Sequence, residues 1–134
     1  MIKIRYGVFE TNSSSVHSLI MCSDNEYQKF VDNELLYDYL HESLITYNEA
    51  LDRLYENVKK FDTDFKNHFN LPDGFSRDKL NDFSLDELEY YLASEAEIYT
   101  CNYFFNELNY DTYEDTYRTI HGEVVHAFGY YGHD

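Results

Sequence analysis

The chain has 134 residues, a length that suits one domain with a real core. Its net charge is −16, from 26 Asp and Glu against 10 Lys and Arg, which speaks against direct contact with nucleic acid or anionic membranes and for a basic partner. The 15 Tyr and 10 Phe supply core area and speak against acidic disorder.

The N-terminal run Met1-Ile-Lys-Ile-Arg-Tyr6 lacks the apolar region of a signal peptide, and no run of about 18 residues is both apolar and uncharged. No membrane span is expected. Cys22 and Cys101 are too few for a disulfide scaffold, so both are expected to be reduced, buried thiols of a cytoplasmic protein.

Met1 to Phe9 and Val16 to Cys22 are the first two strand candidates, joined by the polar Glu10 to Ser15 connection. Ser23-Asp-Asn-Glu26 is a capping box and predicts a helix to about Asp32, with Tyr27, Phe30 and Val31 inward. Glu34 to Ser43 is ambiguous: Leu35, Leu36, Tyr39 and Leu40 have helical spacing, while Tyr37 and Tyr39 alternate. Thr46-Tyr-Asn-Glu49 opens a second helix. Its stripe of Leu51, Leu54, Tyr55, Val58, Phe61, Phe65 and Phe69 predicts about six turns, ended by Leu71-Pro-Asp-Gly74.

Ser84-Leu-Asp-Glu87 is a third capping box, with Leu85, Leu88, Tyr91 and Leu92 expected inward. Beyond Glu97 the composition turns toward the β-favouring residues. Ile98 to Phe105 is expected as a strand, and Tyr117 to Ile120 with Val124 to Tyr130 as a hairpin turning at His121-Gly-Glu123. The fold class expected is α+β, one domain over residues 1–134. Its antiparallel sheet comes from N- and C-terminal strands and is covered by three to four central helices.

From Leu80 to Tyr117 there are ten acids and no Lys or Arg. A DNA duplex carries roughly one negative charge per 1.7 Å of axis, and carboxylates along a helix and the segment after it can approximate that spacing. The expected partner-binding residues are Asp86, Glu87, Glu89, Glu95, Glu97, Glu107, Asp111, Glu114 and Asp115, with Tyr90, Tyr110 and Tyr113 among them. Tyrosine suits such a surface because it brings apolar area and a hydroxyl. A solvated acidic face serving solubility alone is the plainer explanation of the same run.

Two other constellations invite chemistry. Ser13, Ser14, Ser15 and His17, with Glu10 nearby, suggest a nucleophile and base, yet no Gly-x-Ser-x-Gly elbow is present and turn duties explain the same residues. His121, His126 and His133, with Asp134, suggest a metal site, but their spacing does not put them on one face of a continuous strand. Neither a metal nor a cofactor is expected, and Gly-rich phosphate loops are absent.

The stretch Arg5-Tyr-Gly-Val-Phe-Glu-Thr-Asn-Ser-Ser-Ser-Val-His-Ser18 resembles the N-terminal signature of small proteins from phages of Gram-positive bacteria. In its acidity and tyrosine content the rest of the chain is similar in character to phage inhibitors of host defence, above all anti-CRISPR proteins that block the target-DNA site of Cas9. That resemblance implies a non-enzymatic inhibitor, monomer or dimer, acting in the bacterial cytoplasm. Its carboxylates would meet the Arg and Lys that hold DNA in Cas9 loaded with guide RNA. An alternative is a phage interaction or assembly module that binds another protein through its sheet edge. A third is a small enzyme using Glu10 to His17.

Overall fold

A computed structural model describes residues 16–60, 64–108 and 112–131. The expected strand over Met1 to Phe9 and the Glu10 to Ser15 connection lie outside the described residues. Strand β1 (Val16–Ser23) leads through the predicted capping box into helix α1 (Asp24–Val31). The Ser23 hydroxyl accepts from the Glu26 amide at 3.1 Å while Glu26 accepts from the Ser23 amide at 3.0 Å. Two orphan donors at the helix start are thereby satisfied.

The ambiguous stretch resolves as a hairpin, β2 (Leu35–Asp38) and β3 (Ser43–Thr46), turning at Glu42 with φ of 50°. Helix α2 (Tyr47–Lys60) follows its capping box, Thr46 and Glu49 exchanging the same pair of bonds. It does not continue to Phe69 as the stripe predicted. A separate single turn, α3 (Phe65–His68), carries the later aromatics. Residues 61–63 lie outside the described residues, and Asp64, ahead of α3, makes no side-chain cap bond.

A 3₁₀ turn spans Arg77–Asp82, and helix α4 (Leu85–Ala96) starts at the third capping box, Ser84 with Glu87. The strand expected from Ile98 to Phe105 is cut to β4 (Ile98–Tyr99). Thr100 ends it: its hydroxyl accepts from the Tyr103 amide at 3.0 Å, and the chain turns into a π-helical segment over Tyr103–Glu107. Strands β5 (Thr112–Arg118) and β6 (Val124–Tyr131) form the expected hairpin, longer at its first strand, with Gly122 at φ of 85° in the turn. Only glycine takes that backbone conformation without strain.

The fold is α+β. The sheet built from the two chain ends has the order β1-β6-β5, and a second sheet, which the sequence did not announce, has the order β3-β2-β4. All pairs are antiparallel. Adjacent residues of β2 explain the layering, because side chains alternate across a strand. Leu36 faces a cluster of α2 and α4 residues including Leu51, Leu54, Val58, Leu88 and Leu92. Tyr37 faces a second cluster with Phe30, Phe104, Phe128 and Tyr130. Thus the small sheet lies between the helical layer and the larger sheet.

Seven of the ten buried residues of the second cluster are aromatic. Phe128 on the central strand stacks on Phe30 at 5.0 Å and meets the edges of Tyr27 at 5.8 Å and Phe104 at 5.4 Å. It has no exposed surface. Phe128→Ala is expected to cost about 3–5 kcal/mol, read as a lower urea midpoint with an unchanged slope. Loss of less than about 1 kcal/mol would mean the cluster rearranges to fill the space.

Candidate acidic interface

Helix α4 has three faces, set by residues three and four apart. Leu88, Leu92 and Ala96 point into the core. Asp86, Glu89, Tyr90 and Ala93 share one flank, and Glu87, Tyr91 and Glu95 share the other. The ten-acid run is therefore not one ribbon. Four of its acids lie on α4, two on each flank, and the other six lie outside the helix.

The first flank gathers its neighbours from the π-helical turn. The Tyr103 phenol is pushed up by burial and then by the charges of Glu107 and Glu89, with Tyr90 also near. Those influences are screened over roughly 10 Å at 0.1 M salt, so Glu89, Tyr90 and Glu107 lie within about that reach of Tyr103. Tyr103 stacks on Tyr99 at 5.4 Å, fixing the ring. Glu89 accepts from the Thr100 hydroxyl, which holds its carboxylate against the turn. Asp86 and Glu107 are exposed, and Tyr90 is 62% exposed. This patch contains one hydrogen-bonded carboxylate, two exposed ones and an exposed phenol.

The remaining predicted residues stand elsewhere. Glu95 lies on the second flank, where burial, then Tyr90, Asp64 and Glu95 itself, raise the Tyr91 phenol. Glu87 is bound to the Ser84 amide at 2.9 Å. Glu97 closes α4 in the left-handed conformation, φ 54°, and its carbonyl accepts from the Tyr39 amide. On β5, Glu114 and Asp115 point to opposite sides of the sheet. Glu114 is opposite Phe128 and accepts from the Tyr27 hydroxyl at 2.7 Å, whereas Asp115 is opposite Ala127. Tyr113 bonds the Tyr117 hydroxyl at 3.0 Å. Asp111 and Tyr110 lie outside the described residues.

Where the cations go gives this surface its sign. Arg53 pairs with Asp38, Arg77 with Asp52, Lys66 with Asp73 and Lys79 with Asp82. All of these acids precede the third capping box. Among the described residues, none of Asp86, Glu87, Glu89, Glu95, Glu97, Glu107, Glu114 and Asp115 is paired with Lys or Arg. Nine of the ten Lys and Arg precede the third capping box and Arg118 alone follows it, so the bases partly offset the acids of the first 84 residues and leave those beyond nearly unopposed.

Sequence reasoning missed two polar clusters, each built around one buried residue. Asp38, 1% exposed, accepts both Arg53 terminal nitrogens at 2.7 and 2.8 Å and sits 2.7 Å from His41 Nδ1. His126 sits 2.8 Å from Asp24 and stacks on Tyr27 at 4.2 Å, joining the central strand to α1. An acid inside the apolar run Leu35-Leu-Tyr-Asp-Tyr39 was the available signal for the first, since a buried carboxylate demands a partner. Of the residues once considered for metal, His126 has these partners, His121 lies exposed in the hairpin turn, and His133 and Asp134 lie outside the described residues. Among the described residues no cluster of three or more His, Cys, Asp or Glu is placed to hold a metal. Of the nucleophile-and-base group, Glu10 and Ser13 to Ser15 lie outside as well, and only the backbone of His17 is described.

Both thiols are held in the protonated form. Burial first, then the charges of Glu26 and Asp24, push Cys22 up to about 11, and burial with Glu114 does the same for Cys101. Since the thiolate is the nucleophile, both cysteines are expected to react with a disulfide reagent at pH 8 only as the protein unfolds. Rapid stoichiometric labelling of the folded chain would contradict this.

Among the described residues, no helix is long and apolar enough to cross a membrane. No family model, curated protein or solved structure matches the chain.

Proposed function

We propose that this protein is a non-enzymatic phage inhibitor that occupies the nucleic-acid channel of a basic host defence effector, with Cas9 carrying guide RNA as the first partner to test. The observation that supports it most is the flank of α4 with the π-helical turn, where Asp86, Glu89 and Tyr90 share one side of the helix, Glu89, Tyr90 and Glu107 lie near Tyr103, and none of these acids is paired with Lys or Arg among the described residues. An Arg- and Lys-lined channel evolved to hold phosphates would be met by carboxylates at the positions of the phosphates and by tyrosines against its walls. The acidic field would speed encounter, and the phenols would slow release.

A pull-down from host lysate at low and at high salt tests it. Capture of a nucleic-acid-binding effector is expected at low salt, weakened as ionic strength rises because exposed charges are screened over roughly 10 Å at 0.1 M salt. Capture of acidic proteins only, with no dependence on salt, would contradict it.

A further inference from the structure

The flank of α4 holds two kinds of acid. Asp86 and Glu107 are exposed, and among the described residues no Lys, Arg or His pairs with them. Glu89 is half-buried, and its Oε2 accepts from the Thr100 hydroxyl. Thr100 is 2% exposed and stands where β4 gives way to the turn that becomes π-helical. It serves there as an N-cap. Its Oγ1 accepts from the Tyr103 amide at 3.0 Å, and its carbonyl accepts from the Phe104 amide at 2.9 Å.

A hydroxyl carries one proton and two lone pairs, whereas a carboxylate only accepts. The Thr100 proton therefore points at Glu89, which leaves the lone pairs for the Tyr103 amide. Without that acceptor the buried hydroxyl has to donate elsewhere, and the rotation draws its lone pairs off the amide. The segment that follows needs such a hold. Its bond from the Leu108 amide to the Tyr103 carbonyl, 3.2 Å, spans five residues, a geometry that proteins use sparingly. Bonds inside the turn, including Asn106 Nδ2 to Asn102 Oδ1 at 2.9 Å, set its shape. The bond from Thr100 to Glu89 ties it to α4 across eleven positions of sequence.

We propose that Glu89 is the positioning residue of the acidic flank: acting through Thr100, it holds the Tyr103–Glu107 turn against α4 and so presents Tyr103 and Glu107 beside Asp86 and Tyr90. A partner's cations then meet Asp86 and Glu107, while the Glu89 carboxylate stays on the turn. What concerns a partner rests on the function proposed above; the hold on the turn does not.

Two readouts on the full chain test it: amide exchange at Tyr103 and Phe104, and capture of Cas9 carrying guide RNA. Glu89→Ala is expected to speed exchange at both amides about tenfold, the scale of one lost cap. Glu89→Gln keeps an acceptor for the hydroxyl and should restore protection to within about threefold. Thr100→Val leaves the charge alone and should match Glu89→Ala. Because the two residues act as one unit, the double variant should not exceed the larger single effect by more than about twofold. Capture should weaken about tenfold in Glu89→Ala and in Thr100→Val, and about threefold in Glu89→Gln, which lacks one charge of the field. A carboxylate that touches the partner itself gives another pattern: Glu89→Gln binds as weakly as Glu89→Ala, Thr100→Val binds normally, and exchange does not move. That pattern would overturn the proposal, as would losses that add in the double variant. The Glu89 variants alter a half-buried site and decide even if Thr100→Val unfolds. If the unaltered protein captures no Cas9 while the exchange pattern holds, the proposed function fails and the hold of Glu89 on the turn stands.

Discussion

The triple variant Asp86→Lys, Tyr90→Ala, Glu107→Lys is expected to bind its effector about 100-fold more weakly than the unaltered protein, while folding as well. All three side chains are exposed, so the cost to stability should stay within about 0.5 kcal/mol per site. For binding the three act differently. If the partner is the proposed phosphate-holding channel, reversal of Asp86 and Glu107 sets cations against its cations, which slows association and steepens the penalty at low salt. Loss of Tyr90 removes apolar contact area, and central tyrosines are worth roughly 2 kcal/mol or more in buried interfaces. Glu34→Lys with Glu56→Lys makes the same change in net charge on exposed residues away from the patch. That pair should weaken binding by less than about threefold. Similar losses in both variants would show that overall charge, and not this flank, does the binding.

Asp38→Ala is expected to destabilise the protein by about 3 kcal/mol, the largest effect of any single polar change. Removing one member of a buried pair leaves the other uncompensated, which costs about 3–5 kcal/mol. The lower end applies because Arg53 is 24% exposed and regains some water. Asp38 also accepts the Leu40 amide at 3.1 Å, so the β2–β3 turn loses an anchor as well. Urea unfolding at pH 7 measures the loss.

The same carboxylate gives a pH signature. Burial alone would raise it, but the Arg53 guanidinium and the His41 ring outweigh that and hold it below its ordinary 3.8. A depressed carboxylate binds its proton more readily in the unfolded chain. Its contribution is therefore complete above the unfolded value and lost as pH falls through the lower folded value. Below pH 4 the unaltered protein should lose stability faster than Asp38→Ala. Parallel curves would mean that Asp38 is not the group concerned.

Much of this fold was legible because it is local. Three capping boxes, each needing only residues three apart, placed the starts of α1, α2 and α4, and all three make the expected bonds. The terminal hairpin was legible from alternation and from Gly122. The β2–β3 hairpin was not, since its turn ends at Glu42 with positive φ and contains no Gly, Asn or Pro to signal it. The shortening of β4 was hidden for a related reason. Thr100, Tyr103 and Phe104 are good strand residues, and only the cap at Thr100 and the burial of Phe104 favour the turn.

The candidate interface was half legible on the same grounds. That residues 80–117 are anionic needs only counting. Which acids share a surface depends on where Thr100 folds the chain back onto α4, a tertiary outcome. Hence Glu89 and Glu107, eighteen positions apart in sequence, act on one tyrosine. Glu114 and Asp115, adjacent in sequence, face opposite sides of a sheet.

The most direct measurement is a mobility-shift titration of a labelled target duplex bound by Cas9 with its guide RNA, with this protein added before the DNA. Loss of the shifted band at about one equivalent, restored by the Asp86→Lys, Tyr90→Ala, Glu107→Lys variant, is the result predicted. A band that persists at a tenfold excess of the protein, or that the variant removes equally well, would contradict a DNA-imitating surface on α4.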